Sequence, residues 1–359
     1  MDYKYRADNV GSFLRPPELL DARETLAPEE LQKAEDEHIL AALEHQKRVG
    51  MTIFSDGEFR RGGFMGDFFD SVAGLGAGGI ERQWSGKTSP IPHLVVDRIT
   101  STKRMAKHEA DFLAGHAPGD FKITLPTANQ FPAICYKKGV SDEAYPSYSD
   151  FLWDIVPIFR DEITALSKAG VRYIQLDAPR YSYYIDPKWR KHVQDEMGRD
   201  PEDALDEAIR VDNACLEGAG TDDNLLAIHL CRGNNQSLWY AEGGYDPIAE
   251  KLFNQLNVDV FLLEYESERA GTFDPLRFLP KDKVVVLGLV SSKLPDLESG
   301  DDLRRRIDEA SKFVPIENLA LSPQCGFAST KDGNRLTQDQ QWKKLELVVK
   351  TAEQVWGSV

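Results

Sequence analysis

Eight short apolar runs, set apart by amphipathic stretches, constrain this chain more than any other feature of its sequence. They lie near residues 9–17, where a Gly11-Ser12 turn and Pro16-Pro17 stop the first, and at 52–55, 121–125, 172–176, 225–230, 258–263, 283–290 and 318–321. Between them, helical periodicity predicts helices that start at Pro28 and close at Gly50, and that span 151–169, 202–216, 247–256, 301–313 and 338–355. Strands without polar alternation belong to a sheet covered on both faces. Eight of them alternating with helices are the count of an α/β (β/α)8 TIM barrel. The alternation fails from 62 to 119. The Gly-rich piece at 73–79 has neither strand nor helix period, and it lacks the preceding strand and following helix that a phosphate cradle needs. This region is expected to be a long excursion over the top of the fold after strand 2, its glycines reading otherwise as a flexible loop.

A chain of 359 residues suits one large barrel or two ordinary domains, and the strand count favours residues 1–359 as a single catalytic barrel domain. The formal charge of -16 comes without a dense Lys/Arg tract, which argues against nucleic acid or an anionic membrane as a partner and leaves small molecules. The opening residues, from Met1 and Asp2 to Asp8, have no apolar leader, and no run approaches the roughly 18 apolar residues of a membrane span. A cytoplasmic location is expected; nothing in the sequence speaks to oligomeric state. Cys135, Cys215, Cys231 and Cys325 are too few and too scattered for a disulfide framework, so reduced thiols free to bind metal are expected.

Chemistry concentrates at the ends of the runs. Residues two apart on a strand point the same way, so His229 and Cys231 reach one point beyond the fifth run. An imidazole and a thiolate converging there suit Zn2+, which usually takes four N, S or O ligands. An isolated His-x-Cys is more often a buried polar residue beside a small hydrophobe. Glu264 and Cys325, each after another apolar run, are the third and fourth candidates. Glu58 and Asp177 also end runs; two such carboxylates can neutralise one cation, or serve as helix caps and surface ion pairs. Arg60 and Arg61 can hold a carboxylate or pair with surface acids. Arg180, Tyr181, Tyr183, Tyr184, Trp239 and Tyr240 read either as a recognition rim or as packing. All of these fall on the face where barrels place active sites.

Six short stretches carry a resemblance: Val10-Gly11-Ser12-Phe13, Asp56-Gly57-Glu58-Phe59-Arg60, Ile174-Gln175-Leu176-Asp177, Ile228-His229-Leu230-Cys231, Leu263-Glu264 and Ser322-Pro323-Gln324-Cys325-Gly326. In this order they resemble the cobalamin-independent methionine synthase family, specifically its catalytic C-terminal barrel. The resemblance implies zinc held by His229, Cys231, Glu264 and Cys325, with Glu266 as the fallback ligand. It also implies that Ser12 and its backbone bind a substrate carboxylate while Glu58 and Asp177 bind its ammonium, with no further catalytic residue assigned. The implied reaction is methyl transfer to the homocysteine thiol, from 5-methyltetrahydrofolate or another donor, by attack of a metal-activated sulfur. The chain departs from the long members in lacking their extra N-terminal barrel and, around Thr124 to Phe131, their Gly-Pro turn and a tryptophan. Residues 288–293 replace a histidine of the long members, and the usual second acid after Asp177 is absent. Alkyl transfer from an epoxide or a corrinoid, a metal-free barrel lyase or decarboxylase, and a binding protein with structural zinc stay open.

Overall fold

The computed structural model describes residues 3–221 and 223–359; Met1 and Asp2 of the opening stretch lie outside the described residues, as does Asp222. The eightfold repeat folds as a (β/α)8 barrel. Six strands, β3 (Lys122–Pro126), β4 (Tyr173–Asp177), β5 (Leu225–Leu230), β6 (Val260–Glu264), β7 (Val284–Val290) and β8 (Leu319–Pro323), form one parallel sheet in chain order. The N-terminal stretch adds to β8 through a parallel bridge from Ala7 to Leu321, and the second predicted strand adds beside β3 through Phe54 and Phe121. These two staves are single bridges rather than full strands. Side chains hold the seam between them: Asn9 Nδ2 donates to Ile53 O at 3.5 Å and Ser55 Oγ to Gly11 O at 2.8 Å. Gly11, at φ +131, turns the backbone out of strand geometry at that point.

β3 and β4 and the three strands from β6 to β8 are buried at every residue, as doubly covered strands should be, and β5 departs only at its half-buried first residue Leu225. The helix Pro28–Val49 starts with Pro at its first position and ends at Gly50, φ +95. Helix Tyr148–Lys168 is capped by Ser147, and helix Gln338–Trp356 by a reciprocal Thr337/Gln340 box. Inside the barrel Lys122 Nζ meets Asp8 at 2.6 Å, Gln175 Oε1 at 2.9 Å and Asn9 O at 2.7 Å, and Tyr173 Oη donates to Asp8 at 2.8 Å. This polar network ties β3 and β4 to the N-terminal stave.

The excursion is not a loop. β1 (Val72–Gln83) and β2 (Thr88–Ser101) pair antiparallel, and a helix Lys107–His116 follows. The pairing slips between Ala73 and Leu75 and again between Gly76 and Gly79. A Cβ at Gly74 (φ +100) would lie 2.5 Å from Arg98 O, and one at Gly79 would lie 2.7 Å from Ile91 O. The glycines permit bulges, and bulges erase the period-2 pattern by which a strand is read. The hairpin tip docks on the loop after β5: Ser85 N donates to Trp239 O at 2.7 Å and Lys87 Nζ to Gln236 at 3.2 Å.

Loops after β3 and β4 are anchored to helix Pro201–Leu216 by one carboxylate: Asp212 accepts from Asn129 Nδ2 and Tyr181 Oη, both at 2.7 Å. Its second oxygen has no partner, and burial pushes Asp212 up to about 7 against those two bonds. The folded chain therefore holds this proton more tightly than the unfolded chain, where the group titrates near 3.9. Its stabilising contribution is complete below pH ~4 and is lost as pH climbs through 7, by about 4 kcal/mol at most. Denaturant titrations from pH 5 to pH 8 are expected to show Asp212→Asn gaining stability relative to the wild type as pH rises; a constant difference refutes the assignment.

Candidate active site

Parallel pairing places Asp177 of β4 directly beside His229 of β5, and His229 beside Leu262 of β6. The buried His229 faces the Leu262 carbonyl through Nδ1 at 3.3 Å, which favours a proton there and leaves Nε2 as a lone pair; Nε2 has no hydrogen-bond partner. Cys231 follows on the same face. Cys325 arrives just beyond β8, with its sulfur 3.6 Å from that of Cys231. The three ligand atoms of His229, Cys231 and Cys325 lie within 4.8 Å of one another.

The two thiols share their protons unequally. Against burial, the contact with Cys231 and the Lys293 ammonium hold Cys325 well below the usual thiol range, and Cys231 is pushed correspondingly up. Gly233 N lies 3.0 Å from Cys231 Sγ, and Asn234 Nδ2 3.8 Å from Cys325 Sγ. All four cysteines are buried and free of disulfides.

Glu264 is not gathered into this trio. One oxygen accepts from Arg232 N at 3.0 Å, and the carboxylate lies 3.4 Å from Lys293, 3.5 Å from Arg232 and 3.8 Å from Arg269, with Gln324 Nε2 at 3.3 Å. Burial raises its proton affinity, but Lys293, Arg269 and Arg232 outweigh it and hold Glu264 at about 2. Glu266, the fallback ligand, pairs with Arg269 at 2.6 Å.

Ser12, Glu58 and Asp177 line the same cavity as the trio, a space of about 400 Å³ whose walls include the inner face of the hairpin. Glu58 sits at φ +57, a conformation that a non-glycine residue rarely adopts, and Asp56 Oδ1 accepts its N–H at 2.9 Å. One Glu58 oxygen accepts from Thr124 Oγ1 at 2.9 Å; the other is buried without a partner. Asp177 accepts from Gln175 at 2.8 Å, and burial, with Glu58 adding repulsion, pushes it up to about 7 despite His229. Two buried acids of raised proton affinity facing one cavity suit a cationic group.

Arg61 is taken by structure: it meets Asp67 at 2.6 Å and also pairs with Glu109 and Thr124. Arg60 pairs with Asp36 at 2.5 Å. Tyr181, Tyr183 and Tyr184 are buried packing residues, Tyr183 stacking on Trp189 at 4.2 Å. Sequence reasoning passed over Lys293, Gln324, Arg82 and Trp84. The first two stand at the ends of the seventh and eighth runs, a position that could have marked them; nothing in the sequence marks the hairpin pair.

A sulfur-rich cluster with an imidazole, at the C-terminal rim of a (β/α)8 barrel beside paired acids, is the placement of a barrel enzyme's active site. The chain belongs to the family of the cobalamin-independent synthase catalytic domain, whose model matches residues 7–354. An uncharacterized Bacillus subtilis protein, YxjH, is 38% identical over 98% of this chain and 95% of its own. The methionine synthase of Saccharolobus solfataricus is 25% identical over 89% of this chain and 86% of its own. A Listeria monocytogenes structure, provisionally named a vitamin-B12-independent methionine synthase, matches over 100% of both chains at TM-score 0.74 and 29% identity. A Shewanella B12-independent methionine synthase in complex with selenomethionine shares the fold at TM-score 0.76 and 21% identity, over 98% of both chains. The protein is a transferase of the methyl-transferring kind, which removes the lyase and binding-protein readings.

A Cβ at Gly326 would overlap the Ser12 hydroxyl. Gly326→Ala is expected to lower the unfolding free energy by about 1–3 kcal/mol, and by clearly less in a Ser12→Ala background. A double-mutant cycle with no coupling between the two positions refutes the close packing of the β8 end on the first stave.

Proposed function

We propose that this protein is a zinc-dependent methyltransferase that methylates a small aminothiol, homocysteine, to give methionine, with 5-methyltetrahydrofolate or another small-molecule methyl donor. The observation that carries the reading is the convergence of His229, Cys231 and Cys325 on the cavity that Ser12, Glu58 and Asp177 also line. The donor set fits zinc. Two sulfurs at the usual Zn–S length of about 2.3 Å in a tetrahedron stand roughly 3.8 Å apart, against 3.6 Å here, and the His229 lone pair is the one buried imidazole nitrogen of the trio left over. Glu264 is the proposed fourth ligand. When bound, zinc lowers the proton affinity of a substrate thiol and leaves its sulfur nucleophilic.

The chain's own residues do the rest. Ser12 and its backbone receive the substrate carboxylate, and Glu58 and Asp177 receive the ammonium, which relieves their repulsion. Lys293, Arg232 and Arg269 keep Glu264 ionised and answered, so that it would not be an unpaired buried charge with or without a metal beside it. Cys231 and Cys325 stay ligands throughout. The selenium analogue of methionine held by the Shewanella relative is consistent with a methionine-sized product. Among the described residues no helix is long and apolar enough to cross a membrane. A cytoplasmic location and a single catalytic barrel domain are part of the proposal. Epoxide or corrinoid donors remain the alternative.

Purified protein is expected to carry about one zinc per chain, lost in Cys325→Ser, and X-ray absorption should gain one sulfur neighbour when homocysteine is added. No zinc, or a metal shell indifferent to thiols, refutes the proposal. Asp177→Asn and Glu58→Gln are each expected to raise the KM for homocysteine about tenfold or more while barely changing the KM for 4-mercaptobutyrate, which lacks the amine. Equal losses with both thiols would remove the two acids from ammonium binding.

A further inference from the structure

Arg82, on β1, is only 4% exposed and lines the cavity. Its guanidinium lies 4.7 Å from the ring centroid of Tyr240, 5.4 Å from Tyr183 and 5.6 Å from Trp189. Among the described residues it has no carboxylate, carbonyl or hydroxyl acceptor. Other buried arginines are answered: Arg15 donates to Glu58 O and Arg61 O, Arg61 to Glu109 and Thr124, and Arg232 to Gly243 O and Tyr245. Arg180 is the second exception. It lies 3.6 Å from the Tyr183 centroid with all three nitrogens unpartnered.

Two guanidinium groups thus flank one aromatic cluster with no counter-ion. Ring faces offset part of the charge but cannot accept five N–H bonds in the guanidinium plane. The Arg180 nitrogens are sealed from solvent, whereas those of Arg82 open on the cavity, where an incoming acceptor can reach them. Glu81, the neighbouring acid on the strand, is exposed on the opposite face, and Lys188 over Trp189 adds to the positive field. Trp84, beside Tyr240 at 5.4 Å, presents a further aromatic wall to the same space. The cavity is therefore bipolar, with Glu58 and Asp177 near the sulfurs and unpaired guanidinium at the hairpin.

We propose that Arg82 is the recognition residue for an anionic group, carboxylate or phosphate, on the second substrate, which enters under the hairpin with its anion at Arg82 and its transferable carbon toward the sulfurs. The inference deepens the methyl-transfer reading, on which it rests for the existence of a second substrate. It assigns the hairpin end of the cavity to the donor and the rim acids to the thiol.

Isothermal titration of the zinc-loaded protein with benzoate, benzamide and inorganic phosphate tests it. Benzoate or phosphate should bind, benzamide at least tenfold more weakly than benzoate, and Arg82→Gln should weaken the bound anion at least tenfold while Arg82→Lys retains part of the affinity. Preference between the two anions distinguishes a carboxylate donor from a phosphorylated one. No binding by either anion, equal binding of benzoate and benzamide, or an affinity unchanged in Arg82→Gln overturns the proposal. The benzoate–benzamide comparison needs no variant, so it decides the matter even where a substitution at Arg82 disturbs the hairpin. Homocysteine added to the cobalt-substituted protein provides the separate readout. A thiol response intact in Arg82→Gln with anion binding lost supports the assignment; anion binding through Arg82 without any thiol response leaves the anion site standing and removes the thiol reading.

Discussion

Parallel strands that end level with one another are the constraint on which the rest of this molecule depends. Because β4, β5 and β6 pair in step, Asp177, His229 and the Leu262 carbonyl stand side by side at one height. Cys231 then needs only two residues to return to the same face. The β7–β8 edge breaks step between Gly288 and Val290. A Cβ at Gly288 would sit 2.8 Å from both Gln324 Cα and Leu263 O, so its absence lets the end of β8 lean inward. That lean carries Gln324 to Glu264 and Cys325 to Cys231, two residues 94 positions apart in sequence.

Charge buried at the rim imposes a second requirement. Asp8 is answered by Lys122 below the site, Glu109 and Asp67 by Arg61 beside it, and Glu264 by three cations around it. Each of these ions would be costly alone, and each is paired. Asp177 and Glu58 have raised proton affinities, as the paired Asp67 does, but these two acids line the open cavity, with only Arg61 at 3.8 Å beside Glu58. The distribution separates groups that hold the barrel together from groups left for ligands.

Much of this was legible in sequence where periodicity survives. The barrel strands β3 to β8 follow from their unbroken apolar runs, and the meeting of His229 with Cys231 follows from side-chain alternation alone. The meeting with Cys325 needed the barrel as well. Glu264 was legible as a rim residue but not as the centre of an ion-pair cluster, because Lys293, Arg232 and Arg269 come from three different loops and no local pattern links them. The first two staves shrink to bridges because Asn9 and Ser55 substitute side-chain bonds for a ladder. The hairpin was hidden because glycine bulges at 74 to 79 break alternation, and with it were hidden Arg82 and Trp84. Arg60 and Arg61, open in sequence to a ligand carboxylate or to pairing with acids, are paired with acids that only the folded chain brings near.

The β1–β2 hairpin forms a sheet only with itself, bonded at its tip to the β5 loop and at its base to Tyr145 and Ser141, whereas Cys231, Cys325 and the rim acids stand at the ends of the barrel strands. The two walls of the cavity therefore stand under different physical constraints. Substitutions along the hairpin's inner face leave the barrel strands undisturbed, while substitutions at the rim propagate through paired strands and shared ions. A short ribbon forms the entrance wall, so its inner face can be reshaped above a rim that paired strands hold fixed.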